Sequence, residues 1–150
     1  MKVLSLFASA SLAVSNVGGI DPPHLPHFDD YGVTAAAVAH PARVKLVTAR
    51  DRKYAAALRE AAAKPDFAGQ YTLASWGCGA SCVIVAAIDR VDGSVHWFPA
   101  TVCCWRLAIT EPLQYRSNSR LVIVHGRLNE VGDDGDHRFV LNHGRFAAIP

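Results

Sequence analysis

An α+β protein, with one helix followed by an antiparallel meander sheet of five or six strands, is the fold class that three observations predict. Residues 49–63 form an alanine-rich stretch with helical spacing. After Pro65 the pattern changes to short runs rich in Val, Ile, Tyr and Trp. Clusters of Asp, Gly, Asn and Ser separate those runs, as turns do. The chain has 150 residues, 51% hydrophobic and 19% charged, which suits one domain with a substantial core.

The helix comes first. Tyr54, Leu58 and Ala61 stand at spacings of four and three, so they share one face. Arg52, Arg59 and Glu60 stay in water. Thr48 is placed to cap the N-terminus, and Pro65 stops the helix. Strands are expected at 71–76 and 83–88, then across a turn at 89–93 to 94–98. A further strand is expected within 101–109. Residues 116–119 make a turn before a strand at 121–125. Residues 132–136, GDDGD, read as a polar loop. The last hairpin is 137–141 and 145–149, with Gly144 supplying the positive φ of its turn.

The N-terminal residues predict export. Lys2 is followed by mostly apolar or small residues at 3–14, the size of a signal-peptide core and too short to span a bilayer. The expected organisation is a signal peptide over 1–19, a Pro-rich linker or arm over 20–42, and one α+β domain over 43–150. Residues 33–39 within the arm read as weakly packed chain or a short helix. Cleavage near Ser15 or Gly19 would leave a periplasmic or secreted protein with no stable membrane insertion. In that compartment an even number of cysteines favours disulfides.

Nucleic acid is excluded as a partner by charge. The formal net charge is +2, and Arg43, Lys45, Arg50, Arg90, Arg106, Arg116 and Arg120 are dispersed.

Four cysteines carry the chemical interest: Cys78, Cys82, Cys103 and Cys104. A structural zinc site wants two ligand pairs with spacers, and adjacent residues on a strand point to opposite faces, so Cys103 and Cys104 fit one metal poorly. A catalytic dithiol wants two intervening residues at a helix N-terminus, whereas Cys78 and Cys82 have three and β flanks. The reading favoured is a staple, Cys78 to Cys82, with Gly77 and Gly79 freeing the backbone to close it. Cys103 and Cys104 are left open between a vicinal bond, pairing with the first two, and pairing between molecules. His24 and His27 read as a solvated arm. Asp133, Asp134 and Asp136 lack the spaced ligand set of a calcium loop. Trp76, Trp97 and Trp105 read as core or rim packing.

The string FAGQYT at 67–72 and WGCGASC at 76–82 resembles the signature of a family of small exported bacterial proteins of uncharacterised function. The resemblance continues over 88–95, 115–124 and 142–146 and back over the helix, about two-thirds of the chain. It implies export and the fold, and leaves the chemistry open. Gln70 stands where that family often has His, and Cys103–Cys104 is an addition to its pattern.

The sequence expectation is therefore a protein-binding module, inhibitor-like or immunity-like, presenting Trp76, Gly77 and Gly79 on a rigid loop to another protein. No catalytic residue, metal or cofactor is assigned. The competing reading is a thiol- or metal-dependent enzyme using Cys78, Cys82 and a histidine.

Overall fold

The computed structural model describes residues 24–61 and 65–150. The expected signal peptide and its cleavage site lie outside the described residues. Ten elements make the body: α1 (Ala49–Lys53), α2 (Ala55–Glu60), β1 (Tyr71–Gly79), β2 (Cys82–Asp89), β3 (Val95–Trp97), β4 (Val102–Cys103), β5 (Leu113–Tyr115), β6 (Leu121–Leu128), β7 (Val131–Asn142) and β8 (Arg145–Ile149). The strands form one antiparallel sheet in the order β1-β2-β4-β6-β7-β8. Strand β3 also pairs with β2, and β5 with β6. The class is as the sequence predicts, but the detail is corrected in two ways.

First, the helix is two short segments. It breaks at Tyr54, at φ −105 and ψ 20. The Tyr54 ring lies 5.5 Å from both Trp76 and Trp97, so the aromatic contacts displace the turn that an unbroken helix would make there. Leu58 is the fully buried residue of α2.

Second, among the described residues the sheet has eight strands. GDDGD belongs to β7, and the turn before it is made by Asn129 and Glu130, at φ 54 and 63. The strand expected within 101–109 shrinks to two residues, because Cys104 at φ 59 turns the chain out of the sheet. The chain rejoins the sheet as β5.

Strand β2 faces two cores. Val85 and Ala87 join Leu73, Val102, Val122, Val124, Phe139 and Leu141 in one cluster; Ala86 and Ile88 join Ala74 and Leu58 in the other. The sheet wraps round the first cluster. Phe146 of β8 stacks at 6.3 Å on Phe67, just ahead of β1, and meets Phe98 edge-on at 5.2 Å. The helical segments cover the second cluster.

Residues 24–42 lie along the body. The Ser119 hydroxyl donates to the Phe28 carbonyl at 2.7 Å, Val33 N–H to Asn118, Ala36 N–H to Gly69, and Ala42 N–H to Arg90. Lys45 N–H donates to Gly93, where a Cβ would collide with the Arg43 carbonyl. Three turns of the sheet are thus tied by one segment.

Asp51 locks α1 to the sheet. Its carboxylate accepts from Thr48 N–H at 2.7 Å, Val47 N–H at 3.0 Å and Trp97 Nε1–H at 2.8 Å. Burial pushes its pKa up, but these bonds outweigh burial and hold it below the usual 3.8. A lowered carboxyl contributes stability that is full above the unfolded value and is lost as pH falls through the folded one. Replacing Asp51→Asn should therefore cost about 1–2 kcal/mol at neutral pH. The difference from wild type should shrink as urea titrations are repeated at pH values stepping below 3.8.

Candidate functional site

The hairpin of β1 and β2 carries the first disulfide. The register shifts between Gly77 and Gly79, so Cys78 falls in a bulge with no ladder partner. Its Cα lies 5.1 Å from that of Cys82, and the two are bonded. Cys103 is bonded to its neighbour Cys104. The choice left open by the sequence thus falls on the vicinal pair.

Of the residues expected to present the loop, Gly77 and Gly79 are exposed, while Trp76 is half-buried. The Trp76 ring sits against Tyr54 and at 5.7 Å from Trp97, within the second core.

The two disulfides lie at one end of the sheet. Cys82 stands opposite Cys103 where β2 pairs with β4, and Cys104 N–H donates to the Ser81 carbonyl at 3.0 Å. From Cys104 the chain runs out as a loop and returns at Pro112, whose carbonyl accepts from His125 N–H. Gly126 permits this loop to lie against β6. Its φ is 125, and a Cβ there would strike the Cys103 carbonyl and crowd the Cβ of Trp105.

Between this loop, the N-terminal arm and strands β6 and β7 lies a cleft of about 450 Å³. Arg106 and Ile109 come from the loop, Leu25 from the arm, His125 from β6, and Asp134, Asp136 and Arg138 from β7. The His125 Nδ1–H donates to Asp136 at 2.6 Å, which leaves Nε2 as an acceptor in the neutral ring. Arg106 pairs with Asp134 at 3.5 Å. His125 Nε2 and Arg138 Nε are both shielded from solvent and have no hydrogen-bond partner. Such atoms cost about 1–3 kcal/mol when left unmet.

A carboxylate-fixed imidazole supplies two of the three members of a catalytic triad. Here no described hydroxyl or thiol hydrogen-bonds to Nε2, so the dyad holds a ring in place without a nucleophile on it. No group of three or more His, Cys, Asp or Glu among the described residues is arranged to hold a metal. Among the described residues no helix is long and apolar enough to cross a membrane.

The dyad was beyond sequence reasoning, because its two members meet only through an irregular register. Asp133, Asp134 and Asp136, expected in a polar loop, lie on β7, where Asp134 faces Arg106 and Asp136 faces His125. Compared with protein-family models, with curated proteins and with solved structures, the chain matches none.

Gly126 should be intolerant of any side chain. Gly126→Ala should lower stability by about 2 kcal/mol or more through the positive φ and the collision with the Cys103 carbonyl. Trp105 fluorescence should shift in the folded variant, because the new methyl crowds the Cβ and backbone that carry the indole.

Proposed function

We propose that this is an exported protein-binding module, and that its recognition surface is the disulfide-braced end bearing the His125–Arg138 cleft. The observation that carries this reading is a cleft that Leu25 of the arm and Ile109 of the loop line beside Arg106, Asp134 and Arg138. Leu107 is fully exposed on the loop rooted at Cys103–Cys104, and Leu25 is 59% exposed on the arm. An arginine in a cleft with apolar residues beside it suits an interface anchor site.

The cleft is too small to be an interface by itself; a stable one covers roughly 800 Å² on each partner. It would take one anchoring side chain, a carboxylate held beside Arg106 and Arg138. The exposed hairpin tip around Gly77 and Gly79 would form part of the surrounding rim. Within the cleft Arg106 is compensated by Asp134, which favours selective recognition over general attraction. Export rests on the apolar segment behind Lys2 and on the resemblance carried by residues 67–82. The partner is therefore sought in the cell envelope or outside the cell.

Two measurements test this. Intact mass of the protein recovered from the producing cell should show loss of roughly the first 15–25 residues, the span of a signal peptide. A full-length mass would overturn export. Cross-linking in the envelope fraction should yield a discrete complex that weakens about tenfold or more in Leu107→Asp and in Arg138→Gln. Lys45→Gln, remote from the cleft, should bind as wild type. Equal binding by all three variants would remove the cleft from the interface.

A further inference from the structure

We propose that the four cysteines form a single thiol–disulfide relay, in which Cys103–Cys104 takes electrons from an external dithiol and passes them to Cys78–Cys82 through Cys82. This goes beyond the binding role and is independent of it.

The observation is the register of β2 on β4. Cys82 and Cys103 are direct ladder partners. One step outward, Cys104 N–H donates to Ser81, so the hydrogen-bonded position is 81 with 104. Hydrogen-bonded and non-hydrogen-bonded pairs alternate, which makes Cys82 with Cys103 the non-hydrogen-bonded kind. In such pairs the Cα atoms are about 4.5 Å apart and the side chains are at their closest. That spacing is within the window a disulfide spans, about 4.4–6.8 Å. The register cannot slide, because Val102 is fully buried and is paired with Val83 on one side and Leu128 on the other.

Burial divides the four residues into roles. Cys82 and Cys103 are buried, at 9% and 1% exposure, whereas Cys78 and Cys104 are exposed. Reagents meet the outer cysteines, and the transfer between disulfides runs through the inner ones. On its other side Cys103 is the ladder partner of Arg127 on β6, so β4 is held between two strands at this residue.

The steps balance. A thiolate of the external dithiol attacks Cys104 Sγ, breaking the Cys103–Cys104 bond and releasing the Cys103 thiolate. The second external thiol, as its thiolate, closes the external disulfide and releases Cys104 as a thiolate. Cys103 then attacks Cys82 Sγ, forming Cys82–Cys103 and expelling the Cys78 thiolate. Cys104 attacks Cys103 Sγ, restoring Cys103–Cys104 and expelling the Cys82 thiolate. The two protons given up by the external dithiol end on Cys78 and Cys82. The net change is one external dithiol oxidised and one protein disulfide reduced.

The experiment traps the internal link. In the Cys78→Ser/Cys104→Ser variant only Cys82 and Cys103 remain. Mild oxidation with glutathione disulfide should abolish both alkylatable thiols and give an intramolecular Cys82–Cys103 peptide on digestion and mass spectrometry. Two persistent thiols, separate glutathione adducts or a linked dimer would overturn the relay. The wild-type protein supplies a second reading that needs no substitution. After treatment with an equimolar amount of dithiothreitol and timed alkylation, label should appear first on Cys103 and Cys104. It should then move to Cys78 and Cys82 at a rate independent of dithiothreitol concentration. Label that never leaves the vicinal pair, or that reaches Cys78 and Cys82 in proportion to the reductant, would sink the proposal.

Discussion

The structure depends on β2 being buried on both of its faces. Its run, CVIVAAI over residues 82–88, has no polar alternation, the pattern of a strand with packing above and below it. A slip of one residue would exchange Val85 and Ala87 with Ala86 and Ile88 and present each core with the other's side chains. The small residues matter as much as the large ones. Ala86 lies opposite Trp97, and Ala87 opposite Leu73 and His96, so bulky partners close over a strand that gives them room. The aromatic cluster of Tyr54, Trp76 and Trp97 forms on one face because of this, and Phe67, Phe98 and Phe146 gather round the other.

The two halves of the sheet meet through β4, which has only two residues. It pairs with β2 on one side and β6 on the other, with its side chains fully or almost fully buried. So short a strand fixes little backbone by itself. Its position is secured by burial of Val102, by Thr101 N–H donating to the Asn129 side chain at 2.9 Å, and by the Cys104–Ser81 hydrogen bond. The candidate site grows from this junction. The loop carrying Arg106 and Leu107 leaves the sheet at Cys104, and the strand carrying His125 is the one that β4 joins to the rest.

How far the sequence could be read follows from how local each feature is. The apolar runs of β2 and β6 and the Gly144 turn are set by neighbouring residues, and they stand where the sequence places them. The helix break at Tyr54 is set by Trp76 and Trp97 from distant strands, which local propensity does not register. The GDDGD segment looks like a loop because its composition is that of one, yet the turn at Asn129 and Glu130 starts β7 before it. The His125–Asp136 pair was hidden for a stricter reason. A regular hairpin with Leu128 opposite Val131 would put His125 opposite Asp134. The irregularity between Gly126 and Leu128 moves the register, so His125 meets Asp136 and Asp134 is released toward Arg106. Nothing local marks Arg90 for burial either, although loss of solvation lowers its pKa and its surface is almost wholly covered.

The disulfides do little for global stability in the way long-range crosslinks do. Their sequence separations are 4 and 1. In the chain-entropy account, loops this short stabilise by about 2 kcal/mol or less, whereas a link from Cys82 to Cys103 would close a loop worth about 3 kcal/mol. The ladder brings those two residues opposite each other, so geometry does not prevent the longer link. The bonding observed therefore leaves stabilisation unused at the position best placed to supply it. Two small loops held beside each other serve local ends. One shapes the hairpin tip and the other the root of the Arg106 loop, and together they set four sulfurs where one exchange can redistribute them.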